Sequence, residues 1–178
     1  MTRRIKLSAV LAAGLLTVLV VPVTAGEDQV KAKLSGYAET PLTISTRASG
    51  EFKATIHADG TAIDYELTYR DPESTVTQAH IHFGRPVISG GIVLFLCTNL
   101  APPAGVPTPQ PCPAAPATIT GTLTAADVIA VAGQGIDAGA TGFAEILNAI
   151  KAGATYANVH TTGRPSGEIR GPLRGHGN

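Results

Sequence analysis

Alternating apolar and polar side chains are the main feature of the chain from residue 32 onward. The clearest example is a pair of alternating segments, 51–57 and 63–69, separated by Asp59 and Gly60. Because glycine adopts positive φ angles without strain, Asp-Gly is typical of a tight hairpin turn. The pattern predicts a β-hairpin in which His57 lies at the surface. The residues predicted to face inward are Phe52, Ala54, Ile56, Ile63, Tyr65, Leu67 and Tyr69.

Further strand patterns follow the hairpin. Segments 77–84, 118–123, 156–161 and 168–173 have strand character. Segment 92–96 is continuously apolar, which is typical of a strand buried on both sides or packed beneath a loop. Several short strands with few helical patterns favour an all-β fold. We expect an antiparallel Greek-key β-sandwich or a flattened barrel with one or two short helices.

Two stretches follow the period of a short helix. One apolar stripe recurs at i, i+3, i+4 and i+7 before Gly153, and it consists of Phe143, Ile146, Leu147 and Ile150. The other stretch begins at Thr124, an N-cap residue type, with Asp127 in the next turn. It predicts a helix to about Ala132. Residues 174–178 are expected to be a disordered tail.

The first 25 residues have the pattern of an export signal. Arg3, Arg4 and Lys6 precede an apolar run at 7–21, and small residues lead to an expected mature start at Gly26. The alternative is an uncleaved membrane anchor, but the run is short for a span of about 20 residues. We therefore predict a signal peptide at 1–25 and one domain at 26–178, with its core at about 33–174. The protein is expected to be secreted or periplasmic, without membrane association after cleavage.

Charge and composition narrow the classes of partner. The full chain has 13 basic and 13 acidic residues, so removing Arg3, Arg4 and Lys6 leaves 10 basic residues and a net charge of −3. This balance argues against nucleic acid or an anionic membrane as a partner. Aromatic residues make up only 4% of the chain, which is consistent with a β core of small residues. No recognisable nucleophile, triad or phosphate loop supports a hydrolase.

The two cysteines, Cys97 and Cys112, bracket a proline-rich segment without periodicity. In an exported protein this arrangement predicts a disulfide that closes a loop of about 15 residues. A thiolate metal site is the alternative. Oxidation would compete with that site, and no histidine lies nearby in the sequence, so we favour the disulfide.

Three histidines form the main candidate site. His80 and His82 point to one face of a strand because they are two residues apart, and His160 shares a face with Tyr156 and Asn158 on a later strand. If the strands are neighbours, three imidazoles converge, and imidazole is a common transition-metal ligand. The alternative is that these histidines merely occupy solvated strand positions. As a metal site, they should lose affinity as the pH falls through about 6.5.

Four motifs together resemble the CHRD domain, the module named after the extracellular protein chordin. They are HIHFG at 80–84, LTAAD at 123–127, YANVHT at 156–161 and GEIRGPL at 167–173. Their order and spacing both match the family across roughly residues 33–174. The resemblance implies a secreted domain. In chordin, such domains belong to an antagonist of growth-factor signalling.

The histidine pattern also resembles the copper half of copper, zinc superoxide dismutases, and the expected fold is superoxide-dismutase-like or immunoglobulin-like. Carried over to this chain, the resemblance makes His80, His82 and His160 the copper ligands. No histidine lies between His82 and His160, so the bridging ligand and the zinc loop have no counterpart. Arg170, Glu168 and Asn158 are the candidate surrounding residues. Arg170 could steer an anion or could pair with Glu168.

Two functions remain open from the sequence. The first is a non-catalytic extracellular binding module, whose partner would be an unidentified extracellular protein. The second is a copper-binding or superoxide-dismutase-like redox protein that uses the three histidines. Copper is thus the one cofactor that the sequence suggests.

Overall fold

The structure, a computed structural model, describes residues 28–102 and 104–175. In these residues one antiparallel sheet of nine strands curves into a nearly closed barrel. The strands are β1 (Asp28–Ser35), β2 (Ser49–Ile56), β3 (Ala62–Arg70), β4 (Val76–Phe83), β5 (Gly91–Thr98), β6 (Ala117–Thr124), β7 (Thr155–Thr161), β8 (Ile169–Pro172) and β9 (Arg174–Gly175). Their order is β5-β4-β7-β8-β1-β2-β3-β6, with β9 paired to β1. The predicted all-β fold is confirmed.

The predicted hairpin forms from β2 and β3. Ile56 pairs with Ile63, Phe52 pairs with Leu67, and Gly60 has the positive φ of 68° that the turn requires. All seven residues predicted to face inward are buried in the core. The alternation in this part of the sequence therefore determines both the register of the hairpin and its inner face.

The segment between the two cysteines covers the gap between β5 and β6. The Thr98 N–H donates to the Gln110 carbonyl oxygen, and the Gln110 side chain donates to the Thr120 carbonyl oxygen. Below this segment, the Tyr65 hydroxyl donates to the Leu96 carbonyl oxygen. The predicted disulfide between Cys97 and Cys112 is present, with 5.0 Å between their Cα atoms. The segment thus joins the two end strands of the sheet.

Helix α1 (Gly139–Lys151) confirms the predicted apolar stripe, since Phe143, Ile146, Leu147 and Ile150 are all buried. The helix predicted from Thr124 to about Ala132 is wrong beyond its first turn. Thr124 and Asp127 do form a capping box, but it begins only a 3₁₀ turn at Ala125–Asp127. Val128 is then extended and enters the core, and the Ile129 N–H donates to the Val93 carbonyl oxygen. Tertiary packing and this hydrogen bond end the helix.

The C-terminal tail was also predicted incorrectly in part. Arg174 and Gly175 form β9 and pair with Lys31 and Val30 of β1. Residues 176–178 lie outside the described residues, as does the predicted signal peptide at 1–25. Among the described residues, no helix has the length and apolar character needed to cross a membrane.

Candidate metal centre

Strands β4, β7 and β8 present a different kind of side chain on each face. The inner face joins the hydrophobic core through Ala79, Ile81, Ala157, Val159 and Ile169. The alternate positions form the outer face, with His80, His82, Tyr156, Asn158, His160 and Arg170. Because side chains alternate along a strand, the histidines point away from the core of the barrel.

This outer face is nevertheless buried, and every residue of β7 is buried. Loops cover it and contact its polar side chains directly. The contacts between these loops and the outer face are Gly90 with His82, Pro165 with His160, Glu39 with Asn158, and Thr40 with Arg170. The loops therefore form a second layer over the sheet, with a polar interior between them.

The three histidines lie together in this layer, as the sequence predicts. One ring nitrogen from each of His80, His82 and His160 lies within 4.8 Å of the other two. His80 Nδ1 lies 3.2 Å from His160 Nε2. Strands β4 and β7 are neighbours, with His160 opposite Gln78 and so diagonal to His80.

Backbone carbonyl groups fix two of the three rings. His82 Nδ1 lies 3.0 Å from the Gly90 oxygen, and His160 Nδ1 lies 3.0 Å from the Pro165 oxygen. A carbonyl oxygen can only accept, so both Nδ1 atoms carry the proton and both Nε2 atoms keep a lone pair. His82 Nε2 is buried without a hydrogen-bond partner among the described residues. In metal-bound histidines, the ring nitrogen that does not bind the metal typically donates a hydrogen bond of this kind.

His80 is held by its neighbouring rings. Its Nδ1 faces the lone pair of His160 Nε2 and so donates to it, while His80 Nε2 is buried without a partner. The ring packs at a steep angle on Phe95, with 4.3 Å between centroids. Metal binding at Nδ1 would replace this hydrogen bond and would require the proton at Nε2.

Burial keeps the three imidazoles neutral. Desolvation, followed by the nearby His160 and His82, lowers the pKa of His80 from 6.5 to about 2. Desolvation also lowers the pKa of His82 to about 4, although its hydrogen bond to Gly90 opposes this shift, and it lowers the pKa of His160. The expected loss of metal affinity near pH 6.5 therefore moves to lower pH, because protons compete less for these nitrogens.

The ring nitrogens are close enough to converge on one ion if the rings move inward. Imidazole nitrogens lie about 2.0–2.1 Å from a bound zinc ion, so two ligands of one such ion lie at most about 4.2 Å apart. The ligand atoms here lie within 4.8 Å of one another. The nitrogen ligands of one tetrahedral ion lie about 3.4 Å apart, so the rings would have to approach one another by up to about 1.4 Å to share one ion. The residues present fit a metal with three nitrogen ligands.

Arg170 shares the outer face with the histidines, but it is buried and does not face solvent as an anion-steering group would. Its guanidinium carbon lies 3.4 Å from the centroid of the Tyr156 ring. The His82 ring stacks on the same tyrosine, with 4.7 Å between centroids and 4° between planes. The guanidinium fills one face of the tyrosine, so the imidazole takes the other. The Tyr156 ring thus lies between Arg170 and His82.

Asn158 and Glu39 form a buried pair beside Arg170. Asn158 Nδ2 donates to Glu39 Oε1 at 2.6 Å and to the Ile169 carbonyl oxygen at 2.9 Å. Desolvation raises the pKa of Glu39 to about 7, although Asn158 and Arg170 oppose this shift. The sequence analysis missed Glu39, because it lies in an irregular segment where no periodicity marks it as buried.

Glu168 shares the buried outer layer but serves a different set of contacts. It accepts hydrogen bonds from the Thr46 hydroxyl at 2.8 Å, the Glu73 N–H at 2.9 Å and the Thr161 hydroxyl at 2.8 Å. These donors occupy both carboxylate oxygens. Arg170 interacts electrostatically with Glu39 instead, so Glu168 holds loops together beside the histidines.

The site is closed to bulk solvent. His80, His82 and His160 are 0%, 7% and 6% exposed. A cleft of about 610 Å³ runs between residues 39–45 and 163–167 and is bordered by Glu39 and Pro165. None of the three histidines lines it. Both described cysteines are in the disulfide, so neither can serve as a thiolate ligand.

The comparisons with known proteins identify a family but no close relative. No curated protein and no solved structure shows significant similarity to the chain. The family model of the CHRD domain matches residues 30–173, which covers nearly all of the barrel and all three histidines. This chain belongs to the CHRD domain family.

Proposed function

We propose that this protein is an exported, non-catalytic binding domain whose three buried histidines hold one copper ion. The observation that carries the proposal is the placement of three imidazole nitrogens within 4.8 Å of one another, in a layer that the loops close. The carbonyl contacts of His82 and His160 support it, since they orient both rings before any ion binds.

The ligand set favours copper over zinc. Three neutral imidazoles, without carboxylate or thiolate, suit Cu(II) first and Zn(II) second in the usual order of affinity. Burial lowers the pKa values of His80 and His82, so their nitrogens stay unprotonated at neutral pH and protons compete little with a metal ion. At neutral pH, competition from protons should therefore reduce the apparent copper affinity only slightly.

Because loops cover the histidines, the site is better suited to binding an ion than to catalysis with it. Dismutation requires a copper ion that its substrate can reach, but the three rings are at most 7% exposed. Arg170, the candidate for steering an anion, donates to protein oxygens. These contacts support a storage or structural role for the ion.

Titration of the mature protein with Cu(II) and, in parallel, with Zn(II) tests the proposal. We expect one tightly bound copper per chain and a weaker response to zinc. His82→Gln and His160→Gln should each remove tight copper binding, and both keep much of the side-chain volume, unlike His80→Ala at a fully buried position. The control is His57→Gln, since His57 lies at the surface beside Asp64. Unchanged copper binding in both His82→Gln and His160→Gln would refute the proposal.

Export is part of the same proposal and has its own test. The CHRD family is of an extracellular type, and the disulfide is consistent with an oxidising compartment. We expect the exported protein to begin near Gly26. Intact-mass measurement of the exported protein would decide this, and retention of Met1 would contradict it.

Recognition of an extracellular protein is a second candidate function. Leu42 and Val87 are 76% and 77% exposed, on two loops that Arg170 holds side by side. A photo-crosslinking amino acid at Val87 should capture one protein of the export compartment. The same probe at Thr55, on the outer face of β2, is the control. Equal capture from both positions would remove this candidate.

A further inference from the structure

Arg170 is a buried cation whose two terminal nitrogens donate to loops, whereas its Nε has no hydrogen-bond partner among the described residues. One terminal nitrogen donates to the Thr40 hydroxyl. The other donates to three carbonyl oxygens of one short loop: those of Arg85 at 3.1 Å, Pro86 at 3.0 Å and Ile88 at 2.6 Å. A guanidinium presents its donors in a fixed planar fork, so it can hold two segments at once in one geometry.

Arg170 holds the loop at residues 84–90 in position, and the carbonyl groups of this loop solvate the buried charge of Arg170. Arg170 is only 2% exposed, so its charge is removed from water and is solvated by the loop carbonyls. If residues 85–88 moved away, the guanidinium would lose those acceptors in a buried place. The folded position of the loop is therefore the one that supplies carbonyl acceptors to a terminal nitrogen of Arg170.

Two series of contacts connect Arg170 to His82, and each is called a route below. The first passes through the Tyr156 ring, which lies between the guanidinium and the stacked imidazole. The second passes through the loop, because Gly90 donates its N–H to the Tyr156 hydroxyl and accepts from His82 Nδ1. Both routes end on the same ring, and the second one sets which nitrogen of His82 keeps its lone pair.

We infer that Arg170 is a positioning residue for His82: it holds the 84–90 loop so that the Gly90 carbonyl group turns His82 Nε2 toward the other two histidines. This inference rests on the proposed copper site for its consequence, since His82 would otherwise have no ion to bind. Arg170 thus fixes the geometry of the site without itself binding the ion.

The base of the loop is held separately. Gln134 accepts from the Gly91 N–H at 2.7 Å and donates to the Phe83 carbonyl oxygen at 3.0 Å. These two bonds join the last residue of β4 to the first residue of β5. Loss of the Arg170 contacts should therefore loosen residues 85–90 while the β4–β5 hairpin stays paired.

The test compares Arg170→Lys with Arg70→Lys in the full mature protein. Lysine keeps the charge and the stem but cannot bridge Thr40 and the loop carbonyls with a single ammonium group. Arg70 lies at the surface, where its Nε donates to Ser49, so the same substitution there is a matched control. We expect Arg170→Lys to weaken copper binding about 10- to 100-fold, the usual effect of losing an outer partner of a metal ligand. Arg70→Lys should bind copper like the wild type.

Two further readouts separate positioning from a general loss of stability. Pulsed electron paramagnetic resonance (EPR) of the Cu(II) protein should count three coupled imidazoles in the wild type and two in Arg170→Lys. Hydrogen exchange of the metal-free protein should become faster in residues 84–91 and stay unchanged in β2 and β3. If Arg170→Lys does not fold, Tyr156→Phe replaces it, since it keeps the ring and removes only the acceptor of the Gly90 N–H. It should speed exchange at Gly90 and weaken copper binding by less.

Each outcome decides the inference. Unchanged copper affinity, imidazole count and loop exchange in Arg170→Lys would overturn it. If the wild type binds no copper, the proposed function fails, and exchange alone decides about Arg170. Faster exchange confined to residues 84–91 then supports the positioning role, whereas unchanged or uniformly faster exchange contradicts it.

Discussion

His160 Nε2 lies 3.2 Å from His80 Nδ1, although the two residues are 80 positions apart in the chain. The contact exists because β4 and β7 are antiparallel neighbours whose register places Gln78 opposite His160. A shift of one residue in that register would turn His160 into the core. The packing of the whole sheet therefore determines whether this pair of imidazoles forms.

The stability of the metal-free protein should fall as the pH drops from about 6.5 toward 4. The folded-state pKa values of His80 and His82 lie at about 2 and about 4, below the ordinary value of 6.5, and that of His160 is also lowered. In this window the unfolded chain binds protons that the folded protein excludes. Each such proton reduces the free energy of unfolding by up to about 1.4 kcal/mol per pH unit. Urea unfolding across this range measures the slope, and His82→Gln should make it shallower.

Glu39 should oppose this dependence. Its pKa is raised from 4.5 to about 7, so between these values the folded protein holds a proton that the unfolded chain has released. Its contribution to stability is complete below about 4.5 and is lost as the pH rises through about 7. Glu39→Gln removes the opposing contribution, so the loss of stability on acidification should become steeper. An unchanged slope would show that Glu39 is already ionised in the folded protein.

The sequence predicted the parts of the fold and of the site that depend on strand alternation. The β2–β3 hairpin and the shared face of His80 and His82 follow directly from a period of two. Glu39 and the carbonyl group of Gly90 could not be predicted in this way. They belong to irregular loops, whose positions depend on contacts with Arg170 and Tyr156 rather than on a repeating pattern.

Burial of the histidines was not predictable for the same reason. Alternation showed that they share a face, but it could not show that loops from three parts of the chain cover that face. From the sequence, Arg170 could steer an anion or pair with Glu168, and neither alternative predicted that backbone carbonyl groups would surround its charge. Its burial becomes favourable only when the carbonyl groups of residues 85–88 are in place.

Gly167→Ala should destabilise the protein by about 1–3 kcal/mol, the usual cost of a strained backbone position. Gly167 has a φ of 123°, and a Cβ there would lie 2.8 Å from the Asn158 amide and 2.9 Å from Glu39 Oε1. Both the backbone and the buried pair would have to shift. Gly133→Ala is the control, since its Cβ would meet nothing within 4 Å. Equal unfolding midpoints for the two variants would contradict the close contact at Gly167.

Reduction of the disulfide should lower the free energy of unfolding by about 2–5 kcal/mol, as is usual for exported domains. Cys97 and Cys112 are both buried, and the segment between them covers the gap between β5 and β6. Urea unfolding with and without reductant measures the difference. A double variant, Cys97→Ala with Cys112→Ala, should be unaffected by reductant. Equal stability of the oxidised and reduced wild type would show that the segment stays packed without the bond.

Pulsed EPR of the wild-type mature protein, loaded with one equivalent of Cu(II), tests the copper site most directly. We expect a single copper species with three coupled imidazoles, those of His80, His82 and His160. The spectrum of His57→Gln should be identical, and that of His160→Gln should lose one imidazole. A spectrum of weakly bound surface copper, or one that is the same in wild type and His160→Gln, would contradict the account.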